Sequence, residues 1–174
     1  MALHRLDKHV KLAATLDEVW AFFSDPRNLP VITPPSLGLR ITSPVPGEMY
    51  PGMIITYSVS PIAGIRLQWV TEITHVVDRR LFVDEQRSGP YRFWHHQHHF
   101  REVDGGVEAS DIVHYALPFG ILGDLVQRFS VRRQLDEIFD FRLSVMRQRF
   151  TVLDAGAPVS ESRPGDLILE GRPA

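Results

Sequence analysis

The stretch Tyr91-Arg92-Phe93-Trp94-His95-His96-Gln97-His98-His99-Phe100-Arg101 decides how the rest of the chain is read, because it holds four of the eight histidines. Side chains of a β-strand alternate between faces, so Trp94, His96, His98 and Phe100 share one side and His95, Gln97, His99 and Arg101 the other. The first set is aromatic at both ends and the second wholly polar, which puts the first inside and the second in water. Two histidines therefore point inward, and their interior neighbours become the functional question.

The turns on either side supply those neighbours. Asp104-Gly105 is a favoured two-residue type I′ turn, which sets His98 opposite Asp111, His96 opposite Val113 and Trp94 opposite Tyr115. A three-residue loop Gly89-Pro90-Tyr91 sets Asp84 opposite His96 and Gln86 opposite Trp94. Asp78-Arg79 as a two-residue turn sets Thr71 opposite Gln86. An inward face containing Thr71, Asp84, Gln86, His96, His98, Asp111 and Tyr115 is unusual for a plain core, because charged groups are costly to bury unless paired or wetted. A cavity suits it better: apolar at its rim, polar on its floor, with Trp69, Trp94 and Tyr115 among its walls. The competing reading is a structural network in which the aspartates and histidines satisfy one another.

Working outward, residues 4–12 alternate as a first strand, with Leu6, Val10 and Leu12 apolar. Thr15 with Glu18 forms a capping box before Val19, Trp20, Phe22 and Phe23, and Asp25-Pro26 ends that helix. One further helical turn is expected over 27–32. From Leu37 to Leu117 turn signals divide the chain into six antiparallel strands, with a turn at 61–64 among them. After Pro118 the apolar period becomes helical, through Leu122, Leu125, Val126, Phe129, Leu135, Ile138, Phe139, Arg142, Val145, Met146 and Phe150. The opposite face mixes arginines with Asp136, Glu137 and Asp140 and reads as a solvated, ion-paired surface. Residues 1–151 are expected to form one domain and 152–174 a flexible tail.

Composition narrows the function classes. The 174 residues are 44% hydrophobic and carry a formal charge of -2, which gives no case for nucleic acid as a partner. The absence of cysteine removes disulfides and thiolate chemistry and fits a cytoplasmic location. No window is apolar enough for a membrane span or a signal core.

The order strand, two helices, six antiparallel strands and a long C-terminal helix resembles the helix-grip fold of the START/Bet v 1-like (SRPBCC) superfamily, an α+β architecture. Four motifs are similar to its bacterial ligand-binding group, related to the polyketide cyclase/dehydrase and coenzyme Q-binding branches. They are Phe-x-Asp-Pro-x-Asn-Leu-Pro (Phe23 to Pro30), Phe-x-Asp-Glu-Gln-x-x-Gly-Pro-Tyr (Phe82 to Tyr91), Trp-x-His-x-His-x-Phe (Trp94 to Phe100) and Pro-Phe-Gly (Pro118 to Gly120). The resemblance implies a seven-stranded antiparallel sheet wrapped round the last helix with a cavity between them. It does not imply one reaction, because the superfamily includes carriers, receptors and enzymes.

Three candidate functions emerge. The favoured one is binding of a hydrophobic small molecule (a lipid, quinone or polyketide-like compound) through Trp69, Thr71, Asp84, Gln86, Trp94, His96, His98, Asp111 and Tyr115, with no cofactor. The alternative is a cyclase, dehydratase or hydrolase in which His96 with Asp84, or His98 with Asp111, moves protons and Tyr115 donates to an oxyanion. Ser88, the one inward serine near the histidines, lacks a nucleophile elbow. The third is a metal site, in which His-x-His and Asp84 or Asp111 hold zinc or iron; it ranks last and no metal is assigned. Weak homodimerisation is left open.

Overall fold

Two capping hydrogen bonds start the first helix, and alternation with turn chemistry builds almost everything after it. The computed structural model describes residues 2–62, 65–118 and 130–156. Among these, β1 (His4–Ala13) leads to α1 (Leu16–Phe23) and two short 3-10 turns, Pro26–Asn28 and Pro35–Leu37. Then come β2 (Arg40–Ile41), β3 (Met53–Ile62), β4 (Ile65–Val77), β5 (Leu81–Ser88), β6 (Phe93–Val103), β7 (Gly106–Ala116), α2 (Arg132–Arg149) and β8 (Thr151–Ala155). Thr15 accepts from the Glu18 amide at 3.3 Å while Glu18 accepts from the Thr15 amide at 2.9 Å, the expected capping box. Prolines confine the segment after α1 to single 3-10 turns. No helix among the described residues is long and apolar enough to cross a membrane.

The strands form one antiparallel sheet in the order β2-β3-β4-β5-β6-β7-β1-β8. The helix-grip arrangement is present, with one strand more than expected. Val152 to Ala155, expected to open the tail, pair instead with β1 through Val10↔Ala155 and Leu12↔Val152. Phe150 ends α2 in an extended conformation that turns the chain back along the β1 edge, whose hydrogen-bonding groups would otherwise be unpaired. The rest of the tail, the helix positions Leu122, Leu125, Val126 and Phe129, Phe119-Gly120 of the Pro-Phe-Gly motif and residues 63–64 of the turn lie outside the described residues.

Register follows the expected pairing, by partly different means. Val103↔Gly106 closes a two-residue turn and gives His98↔Asp111, His96↔Val113 and Trp94↔Tyr115. Of the two central residues, Asp104 and Gly105, only Gly105 takes a positive φ, of 80°, so the turn has the φ signs of type II and not type I′. Glycine carries the left-handed conformation and Asp104 is spared it. The β4–β5 turn holds three residues, bracketed by Val77↔Leu81, with Arg79 at φ 57°. A register shift between Ile73 and His75 then restores Thr71↔Gln86. Asp84↔His96 pairs as expected across β5 and β6.

Behind the sheet the buried apolar residues separate into clusters. Phe82, Phe100, Val107, Ala109 and Met146 pack with Phe22 and Phe23 of α1. Val113, Tyr115, Leu135 and Phe139 form a second cluster with Leu6. In sequence, His96 and His98 fall between these clusters on β6, Asp111 between them on β7, and Arg142 between them on α2. One polar layer thus crosses an otherwise apolar interior.

Candidate functional site

The inner faces of β5, β6, β7 and α2 meet in five polar side chains. His96 and His98 are buried, at 4% and 7% exposure, and Arg142 is buried at 8%. The His96 Nε2 lies 2.7 Å from Asp111 Oδ1, and His98 Nε2 lies 2.8 Å from Asp84 Oδ2. Each imidazole also approaches the other carboxylate, His98 Nδ1 to Asp111 Oδ1 at 2.9 Å and His96 Nδ1 to Asp84 Oδ2 at 3.4 Å. The two imidazoles, with centroids 3.8 Å apart, bridge the two aspartates. Direct cross-strand opposition suggests one carboxylate per histidine; the shortest bonds run diagonally instead, because each ring spans the pleat. Trp94 Nε1 donates to Asp84 Oδ1 at 3.2 Å, and Arg142 donates to Asp111 Oδ1 at 3.0 Å.

These contacts settle the charges. Burial pushes the Asp111 carboxyl up, but Arg142 and the imidazoles outweigh it and hold the group well below the usual carboxylate range. Burial likewise raises Asp84, and His96, His98 and Trp94 overcome it to leave the group lowered. Burial, reinforced by His98, keeps His96 below the ordinary imidazole range. At His98 the opposing carboxylates defeat the burial and raise the pKa. The environment thus favours the charged forms of Asp84, Asp111 and His98 and the neutral form of His96, so opposite charges face one another across the layer.

Over this layer lies a cavity of about 170 Å³ between the sheet and α2. Asp84, His96, His98 and Arg142 reach its floor, and Phe22, Leu29, Ile55, Val59, Ile73 and Phe139 are among its apolar walls. Trp69, Tyr91 and Trp94 make an aromatic end wall, with Trp69 and Trp94 edge to face at 5.4 Å. Tyr57 and Thr71 also line the cavity, and among the described residues neither hydroxyl has a hydrogen-bond partner. Burial, with Asp84 nearby, pushes the Tyr57 phenol up, so it stays a donor. A second cavity, of about 250 Å³, lies on the other side of the polar layer, where Asp111 and Arg142 line it with Lys8, Arg132 and Asp136.

Of the residues expected at the site, Trp69, Thr71, Asp84, Trp94, His96 and His98 come together around the first cavity. Asp111 stands behind the imidazoles and lines the second. Gln86 does not line the first cavity. Its side chain instead clamps the Tyr91 backbone, donating to the carbonyl at 2.6 Å and accepting from the amide at 3.2 Å. Tyr115 is fully buried in the second apolar cluster, against Tyr91 and Trp94, and is not among the residues that line the cavity. Ser88, expected inward, is exposed where the β4–β5 register shifts. Tyr57 and Tyr91 were not anticipated at the site, and Arg142 only as one member of the helical stripe expected to wall the cavity. Arg142 had a signal, as an arginine on the apolar stripe of an amphipathic helix. Tyr57 had a weaker one, since an inward tyrosine on β3 looks like ordinary core.

Comparison with known proteins identifies the fold and the family. A family model described as polyketide cyclase / dehydrase and lipid transport matches residues 12–139. No curated protein matches the chain in sequence. A START superfamily protein from Mycobacterium smegmatis superposes with a TM-score of 0.62 at 12% identity, over 84% of this chain and 96% of that one. A point mutant of norcoclaurine synthase from Thalictrum flavum, in complex with a transition state analogue, gives 0.59 at 15% identity over 85% and 96%. A Rhodobacter sphaeroides protein gives 0.58 at 21% identity over 84% and 93%. At these identities the solved structures show the shared fold alone, while the family model spans most of the chain. The chain belongs to the polyketide cyclase / dehydrase and lipid transport family, within the START/Bet v 1-like (SRPBCC) superfamily.

Proposed function

We propose that the protein binds a small hydrophobic molecule carrying an oxygen function, in the cavity between the sheet and α2. The observation that carries this reading is the pair of unpartnered hydroxyls, Tyr57 and Thr71, in a cavity otherwise lined mainly by apolar side chains. Both residues are 5% exposed and their hydroxyls are left to the cavity, where an acceptor on a ligand would complete their hydrogen bonding. Volume limits its size: a cavity of ~150 Å³ accepts benzene, so about 170 Å³ suits a single ring, or the ring end of a larger quinone or polyketide-like molecule. Native mass spectrometry of protein purified from its own host tests this. A bound molecule with an apolar ring and a carbonyl or hydroxyl is expected. A protein with no bound molecule, and none taken up on adding single-ring ketones or phenols, contradicts it.

A second reading, acid–base catalysis in the same cavity, is favoured by the split between the two histidines. His96, biased toward its neutral form, beside His98, biased toward its protonated form, would supply a base and an acid a few ångströms apart. The family description, which names cyclase and dehydrase alongside lipid transport, accommodates both readings. They separate on substitution: in a catalyst, His96→Ala and His98→Ala abolish turnover and leave affinity near its starting value.

A further inference from the structure

We propose that Asp84, His96 and His98 hold one divalent transition-metal ion, of the zinc or iron(II) kind, on the cavity floor. A donor atom from each lies within 4.8 Å of the other two. Proximity alone is weak support, since buried histidines and aspartates also pair without an ion. What singles out these three is which atoms face which.

His96 Nε2 and His98 Nδ1 both meet one oxygen of Asp111, at 2.7 and 2.9 Å, and Arg142 anchors that oxygen from behind at 3.0 Å. A carboxylate that accepts the far-side N–H of each imidazole is the usual companion of metal-bound histidine, because it fixes tautomer and ring orientation. With the N–H groups so placed, the lone pairs of His96 Nδ1 and His98 Nε2 turn toward Asp84 Oδ2, at 3.4 and 2.8 Å. Three electron-rich atoms then converge, an unfavourable arrangement unless positive charge sits among them. A proton on His98 Nε2 meets the shorter contact. It leaves His96 Nδ1 beyond the ~2.7–2.9 Å of a charge-assisted hydrogen bond. A divalent ion engages all three, at about 2.0–2.2 Å each. Such bonds hold donors roughly 3–3.5 Å apart, so relative to Asp84 Oδ2 the His96 nitrogen is already at that separation and the His98 nitrogen would withdraw slightly.

Two imidazoles and one carboxylate, in a chain without cysteine, select a borderline ion over magnesium or calcium. Asp84, His96 and His98 line the first cavity and Asp111 the second, so the open coordination positions face the apolar space beside Tyr57 and Thr71. An oxygen able to become anionic, as in an enol or phenol, is the ligand group such a centre would take. This goes beyond hydrophobic binding, which the cavity supports with or without an ion.

The test is a calorimetric titration of the chelator-stripped full chain with Zn²⁺, with Co²⁺ as a spectroscopic substitute. One equivalent bound, with visible absorption from nitrogen- and oxygen-coordinated cobalt, is expected. Both signals should vanish in Asp84→Asn and persist in the His95→Gln/His99→Gln double variant, which removes outward imidazoles only. Wild-type protein that takes up no stoichiometric metal overturns the proposal, whether or not Asp84→Asn folds. Metal binding that survives in folded Asp84→Asn, or disappears with the outward pair, overturns it equally. Uptake of a single-ring ketone measured in chelator reads the binding function separately, so either can fail alone.

Discussion

Arg142 is the residue on which the polar layer turns. It is 8% exposed, its guanidinium donates to Asp111 at 3.0 Å and stacks over Phe139 at 4.8 Å, and its Nε has no hydrogen-bond partner among the described residues. Removing it leaves a buried carboxylate facing only the imidazoles. Arg142→Met is therefore expected to cost about 3 kcal/mol in urea denaturation, the range for breaking one side of a buried ion pair. Pairing it with Asp111→Asn is expected to recover part of that loss, because the double variant strands no charge. Equal, additive losses would show that Arg142 contributes through packing alone. An arginine within an apolar helical stripe is legible in a sequence as an anomaly. Its partner is not, because the facing residue depends on how α2 sits across the sheet, which no local pattern encodes.

Among the elements, the β6–β7 hairpin has the greatest effect on the site, since it alone sets His98 opposite Asp111. Its register depends on a two-residue turn and on close contact with β1. A Cβ on Gly106 would lie 2.0 Å from the Leu12 carbonyl oxygen, so this position needs glycine for space. Gly106→Ala must displace β1 or the hairpin and is expected to cost about 1–3 kcal/mol, read from the midpoint of chemical unfolding. An unchanged midpoint would mean that β1 yields freely at that point. Alternation and turn residues made these strands legible, because period and loop length are local properties. Two features were not. The three-residue turn at 78–80 and the shift near Thr74 offset one another, so the expected pairing of Thr71 with Gln86 arises by another route. Strand β8 is only five residues long, with Val152 and Leu153 adjacent and not alternating, so it does not announce itself; it pairs along the edge that β1 offers.

On the scale of the whole molecule, a polar layer crosses an apolar interior and separates two cavities. The first is apolar above and donor-bearing below; the second is ringed by charge. The sequence was enough to place most of the first cavity's floor, since Asp84, His96 and His98 sit on strands whose faces can be assigned. It could not separate Asp111 and Tyr115 from that floor, because facing inward does not tell whether a side chain meets a void or packed neighbours. The most direct measurement is a calorimetric titration with acetophenone, one ring and one carbonyl, of wild-type protein and of Val59→Phe, which fills the cavity from β3. One equivalent bound by the wild type, with affinity reduced at least about ten-fold in a variant of unchanged circular dichroism, is the predicted result. Equal affinity in the two proteins, or no binding by the wild type, would contradict the assignment of this cavity as the ligand site.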